Sequence, residues 1–231
     1  GFEADIRIGV SSLLVRDPLG RVVARLHPNR TWDKVEIDAW RTETWDVNDT
    51  VLIADPRQDD ALAGYLARLP DALVQPTWHA LRRDPAHAAA FQARYPDAGD
   101  RTAESEAADK TAVHAGTPSI EAADAFGRTV ATVTANRARY TDADPAAHPV
   151  ESVQRTRVVL DVSGNRRAAF DALGRLALRI TYDLLGRPLS QESLDSGQRW
   201  TLPDAAGQTL YTWDTRGQRT RATFDALRRP V

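Results

Sequence analysis

Between residues 175 and 182 the chain alternates strictly: Leu176, Leu178, Ile180 and Tyr182 are interleaved with Arg175, Ala177, Arg179 and Thr181. A period of two marks a half-buried β-strand. The same alternation puts Thr209, Tyr211 and Trp213 on one face, and Thr220, Ala222 and Phe224 together in the next segment. From 55 to 116 the pattern changes. Ala61, Leu62, Tyr65, Leu66 and Leu69 fall at helical spacing. Pro70, Pro76, Pro85 and Pro96 divide the stretch into short helices, because proline cannot continue one. The Ala-rich segments 86–95 and 104–115 also read as helical. The predicted organisation is therefore β-strand repeats over 1–54, a helical insertion over 55–116 and a repeat β-sheet over 117–231. A linker packed across a sheet edge is the alternative for the middle stretch. Residues 142–149 read as a polar loop between strands.

The strands are separated by a repeated turn signal, Asp-x-x-Gly followed by Arg, Asn or Gln. It pairs Asp17 with Gly20, Asp124 with Gly127, Asp161 with Gly164, Asp171 with Gly174, Asp183 with Gly186, Asp204 with Gly207 and Asp214 with Gly217. Degenerate copies stand at Asp195-Ser-Gly197 and Asp225-Ala-Leu-Arg228-Arg229. From Asp161 onward the Asp positions advance by 10, 12, 12, 9, 10 and 11 residues. The spelling has a mechanism. The Asp side chain bonds amides two residues on, the next two residues fit a type I turn, and Gly supplies the positive φ that closes a hairpin. An aromatic residue precedes the turn Asp at Phe170, Tyr182, Trp213 and Phe224, and the pairs Trp32-Asp33 and Trp45-Asp46 look alike. Cross-strand packing beside the turn is the expected role of these rings.

Composition narrows the function. A formal net charge of −2 gives no electrostatic case for nucleic acid, and no apolar run reaches the length of a membrane span. The chain has no Cys, which excludes disulfides, thiol catalysis and zinc-thiolate sites. It has no Met either, and it reads as a segment of something longer. Phosphate-binding Gly-rich loops, His-Glu-x-x-His and Gly-x-Ser-x-Gly are all missing from the sequence. His79 and His87 lie eight apart, but Pro85 between them prevents one helix face from presenting both. The recurring Asp residues are assigned to turn capping, since calcium-binding repeats are denser in Asp and Gly and shorter in period. Asp59-Asp60 is placed at a helix start, where acids complement the dipole. No cofactor, metal or catalytic residue is expected.

The Asp-x-x-Gly-Arg turns with a preceding aromatic resemble the Rhs/YD-repeat family, with 182–187 spelling Tyr-Asp-Leu-Leu-Gly-Arg. Within it the chain is most similar to the shell-forming B component of Tc-type insecticidal toxin complexes. The strings that carry the likeness begin at Arg16, Leu26, Trp45, Lys110 and Asp225: Arg-Asp-Pro-Leu-Gly-Arg, Leu-His-Pro-Asn, Trp-Asp-Val-Asn-Asp, Lys-Thr-Ala and Asp-Ala-Leu-Arg-Arg-Pro. The resemblance implies a mainly β fold, an antiparallel YD-repeat sheet forming part of a hollow shell that encloses a toxin polypeptide before delivery. It implies as partners the rest of that shell, the enclosed polypeptide and other toxin-complex subunits. It places the chain within a larger protein that is secreted or on the surface of a bacterium. The family's autoproteolytic Asp residues have no match here, so no catalytic residue is carried over. A cell-surface repeat module that binds carbohydrate or protein is the competing reading.

Overall fold

The structure is a computed structural model that describes residues 11–139 and 149–231. Among the described residues four strands come first: β1 (Leu13–Arg16), β2 (Val22–Leu26), β3 (Trp32–Ile37) and β4 (Arg41–Trp45). Five helices follow: α1 (Ala63–Leu66), α2 (Asp71–Val74), α3 (Trp78–Arg83), α4 (Ala88–Arg94) and α5 (Ala98–Ala112). The remaining strands are β5 (Ser119–Ala123), β6 (Thr129–Ala138), β7 (Val150–Leu160), β8 (Arg166–Phe170), β9 (Leu176–Tyr182), β10 (Pro188–Ser193), β11 (Gly197–Pro203), β12 (Thr209–Asp214) and β13 (Arg219–Arg221). The strands lie in the sheet in chain order, each hydrogen-bonded to the next. Short turns between successive strands permit only antiparallel neighbours. The mainly β, antiparallel architecture expected from the alternation is the one the chain adopts. The loop expected over 142–149 lies, apart from Pro149, outside the described residues.

The chain divides into two compact units, Gly1–Glu121 with Thr134–Val153, and Ala122–Val133 with Gln154–Val231. The first unit holds the hydrophobic core. Ala24 and Leu26 of β2, Trp32 of β3, Leu62, Leu66 of α1 and Val74 of α2 pack together. Leu66 is fully buried, and burying a leucine contributes roughly 1.5–3 kcal/mol. The helical stretch thus shares a core with the early strands. Trp32 belongs to this core, and Asp33 lies within β3, so the pair Trp32-Asp33 is not a turn signal.

Two buried cations tie the same unit. Lys34 of β3 donates to Asp59 (2.7 Å) and Glu36 (2.6 Å), with its ammonium 4.5 Å from the Trp45 ring centroid. Burial works to discharge Lys34, but the hydrogen bonds to Asp59 and Glu36 outweigh it and hold its pKa above the ordinary lysine value. Asp59 also accepts from the Ala61 amide (3.1 Å), so the helix-start acid is at the same time a counterion. Arg82 of α3 stacks 4.0 Å from the Trp78 ring centroid and donates to Glu104 of α5 and to the Tyr95 hydroxyl. These ion pairs, with Arg83–Asp109 at 2.9 Å, anchor α5, whose sequence lacks an apolar stripe. The predicted helix at 104–115 starts earlier, at Ala98, because Asp97 caps the amides of Gly99 and Asp100.

The helical excursion is closed by one residue. Asp49 accepts from the Thr117 amide and hydroxyl, both at 3.0 Å, and its carbonyl accepts from Gly116 (3.0 Å). The chain therefore returns after 68 residues to the point it left, and β5 takes its place beside β4.

The second unit is built differently. None of its described residues is fully buried, and its strands are at best half-buried. A single layer of sheet has that property, since neither face is covered by a second layer.

Candidate functional site

The turns are the most regular chemistry in the chain. In the first, the Asp17 amide donates to the Arg21 carbonyl (3.0 Å) and the Gly20 amide to the Asp17 carbonyl (2.9 Å). The Asp17 Oδ1 accepts from the amides of Leu19 and Arg21, both at 2.9 Å. Its Oδ2 accepts from the Arg21 guanidinium at 2.7 and 2.6 Å. One carboxylate thus satisfies two turn amides and one cation, which leaves it little capacity for a metal ion. The clasp recurs with Arg128 on Asp124, Arg175 on Asp171, Arg187 on Asp183 and Arg229 on Asp225. Asn165 plays the same part on Asp161 through its amide group (2.9 Å). At Asp204 and Asp214 the following glutamines, Gln208 and Gln218, supply the backbone amide to Oδ1.

The glycines close these loops at positive φ: 82° at Gly20, 73° at Gly127, 90° at Gly164, 75° at Gly174, 76° at Gly186, 91° at Gly207 and 80° at Gly217. At the degenerate Asp225 turn the position is held by Arg228, at φ 61°. A further turn of the same hydrogen-bond pattern joins β2 to β3, with His27 in the Asp position and Arg30, at φ 67°, in the Gly position. Sequence reading missed it as a turn because neither signature residue is present. Its spacing of ten residues from Asp17 was the available signal.

Electrostatics follow from the clasps. The carboxyls of Asp124 and Asp171 stand below the ordinary aspartate pKa chiefly because of the Arg128 and Arg175 side chains. For Asp183 and Asp225 the main cause is the backbone amide of Arg187 and of Arg229. Asp161 is lowered first by the Asn165 side chain. Partial burial works to raise Asp17, and the Arg21 hydrogen bonds overcome it.

On one edge of the second unit, two of the residues that follow the glycines have a second task. Strands alternate in direction, so the turns at Asp124, Asp161, Asp183, Asp204 and Asp225 share one long edge of the second unit. Along that edge the Asp183 turn is bonded to the Asp204 turn, and the Asp204 turn to the Asp225 turn. Arg187 donates to the Asp204 carbonyl (2.8 Å), and Gln208 donates to the Arg228 carbonyl (2.9 Å). A Cβ on Gly164 would stand 3.0 Å from the Arg128 guanidinium, so this glycine serves both the positive φ and the close approach. The last three turns of this edge are thus joined by the side chains that follow Gly186 and Gly207. The sequence displayed those residues but not their reach, which spans two strands.

The turn tips are apolar and open to solvent. Phe126, Val162, Leu184, Leu185 and Leu227 are 73–104% exposed. The turn-adjacent aromatics pack within the sheet. Phe170 lies across from Arg157 with 4.4 Å between guanidinium and ring centroid, and Trp213 stacks on its cross-strand partner Trp200 at 6.2 Å. The Tyr182 hydroxyl donates to the Arg166 carbonyl (2.9 Å).

No protein-family model matches the sequence, and no curated protein matches it. Solved structures do match in three dimensions. A Tc holotoxin pore of Photorhabdus luminescens superposes with a TM-score of 0.57 at 18% identity over 93% of this chain. A TcdB2–TccC3 crystal structure gives 0.57 and a TcdB2–TccC3–TEV structure 0.58, at the same identity and coverage. This chain shares their fold. It spans 8% of the length of the chains it matches.

Proposed function

We propose that this chain is a segment of the wall of a YD-repeat shell that encloses a toxin polypeptide before delivery. The single observation that carries the reading is the second unit's sheet, one layer thick, with no described residue buried and with its turns joined along one edge. Such a sheet is suited to continue by adding repeats and to separate two spaces, rather than to surround a core. The Tc-toxin fold supports the same role. Confinement needs no catalytic group, so the chain is read as non-enzymatic and without a cofactor. Its partners are the neighbouring repeats of the same shell, the enclosed polypeptide and other toxin-complex subunits. Among the described residues no helix is long and apolar enough to cross a membrane. The larger protein is read as bacterial, secreted or at the cell surface. Electron microscopy of that protein tests the proposal: a hollow particle with internal density supports it, and a solid particle contradicts it.

A further inference from the structure

The two faces of the second unit's sheet differ in chemistry. Cross-strand register puts Arg157 beside Phe170, Trp200 beside Trp213, Leu202 beside Tyr211, and Tyr211 beside Arg221. Followed across β8 to β11, the pairing places all of these side chains on one side. The other side carries the aliphatic residues Val158, Leu160, Leu178 and Ile180, with Tyr182 and Arg199 among them.

On the first side the arginines lie over rings. Arg157 is 4.4 Å from the Phe170 centroid, and Arg219 and Arg221 are 4.8 and 5.8 Å from that of Tyr211. The acids nearby are engaged. Glu192 is 3.5 Å from Arg179, and the Asp214 carboxylate accepts from the amides of Arg216 and Gln218 at 3.0 Å. Arg157, Arg219 and Arg221 have no carboxylate partner among the described residues. A guanidinium stacked on a ring keeps its N–H edge for a planar anion and loses little further freedom in binding one. A concavity of ≈ 530 Å³ is lined by Leu202, Tyr211, Trp213, Asp214, Gly217 and Arg219. Leu202 is 46% and Trp213 37% exposed there.

We propose that this face binds an extended polypeptide that carries carboxylate side chains next to apolar ones. Arg219 and Arg221 take the carboxylates, and the Leu202–Trp213 concavity takes the apolar side chain. Charge selects the partner, because the groups of this face without an ion-pair partner among the described residues, Arg157, Arg219 and Arg221, are cationic. A glycan fits less well. Sugars need open aromatic faces, but Tyr211 is covered by two guanidinia and Phe170 by one. The proposal rests on the wall reading for the source of the polypeptide, the enclosed client.

The test uses the whole chain and three labelled probes, followed by fluorescence anisotropy: a short peptide alternating Glu with Phe or Leu, the same peptide with Lys in place of Glu, and a neutral oligosaccharide. The Glu peptide should bind, weakening with salt, and the other two should not. Arg219→Gln with Arg221→Gln should reduce its affinity by about tenfold. Arg219→Glu with Arg221→Glu should transfer the preference to the Lys peptide, a gain that misfolding cannot produce. Equal binding of both peptides, indifference to the glutamine pair, binding of the oligosaccharide alone or an unchanged preference in the glutamate pair would each overturn the proposal. None of these outcomes decides whether a larger shell encloses a client, since the hollow-particle experiment reads that separately.

Discussion

Arg187 donates to the carbonyl of Asp204 at 2.8 Å while its Nε holds the Asp183 carboxylate at 2.6 Å, so one side chain closes its own turn and grips the next. Arg175, on the opposite edge, closes only its own turn and is more exposed. An exposed ion pair contributes little, and a hydrogen bond to a buried or half-buried carbonyl contributes about 1 kcal/mol. Arg187→Ala should therefore destabilise the chain by roughly 1 kcal/mol more than Arg175→Ala. Urea denaturation of the two variants checks this, and equal midpoints would remove the bridging role of Arg187.

Gly174 and Gly186 hold φ of 75° and 76°. A Cβ on Gly174 would meet no atom within 4 Å, so the cost of a side chain there is conformational rather than steric. An L-residue in the left-handed region loses roughly 1–2 kcal/mol, and a β-branched one at least that. Gly174→Val and Gly186→Val should each lower the melting temperature. Unchanged melting of both would refute the turn role of these glycines.

The clasped carboxyls make an acid-sensitive sheet. Asp171, Asp183 and Asp225 titrate below the ordinary aspartate value of about 3.9. Folding therefore favours their ionised form. Their contribution is fully present above about pH 4 and is lost as pH falls through the depressed folded values. Stability should rise with pH at the acid end and level off above about pH 4. Asp183→Asn keeps an acceptor for the turn amides but has no charge to titrate, so its acid limb should be shallower. An acid limb identical to that of the unchanged protein would contradict the linkage.

Much of this fold was legible in the sequence, because turn chemistry and alternation are local. Asp-x-x-Gly marks a turn wherever it stands, and the strand at Leu176–Tyr182 declares itself by its own period. Interactions far apart in sequence were not legible. Lys34 and Asp59 are 25 residues apart, and nothing in Asp59-Asp60 distinguishes a buried counterion from a helix-start acid. Asp49 and Thr117 meet across 68 residues. The face bearing Arg219, Tyr211 and Trp200 required the register of three strands before its members could be placed together. His27 and Arg30 form a turn without either signature residue, because a left-handed conformation is strained for Arg but tolerated where neighbouring strands fix it.

The helical stretch is proposed to be separable from the repeats that follow it. A chain of residues 117–231 should give a β circular-dichroism spectrum with little helix. A mainly helical or unordered spectrum would refute the separation. In the intact chain, Asp49→Ala should loosen the return at Thr117, seen as faster amide exchange at Thr117, whose amide donates to the Asp49 carboxylate, whereas Gly116 keeps its backbone carbonyl acceptor. Unchanged exchange would show that other contacts close the excursion.

Confinement by a wall of repeats, as proposed, is tested most directly by limited proteolysis of the larger protein. The enclosed C-terminal region of that protein should be cleaved far more slowly in the intact parent than as an isolated polypeptide, and opening the shell should remove the difference. Digestion of that region at the same rate in both settings would rule out confinement.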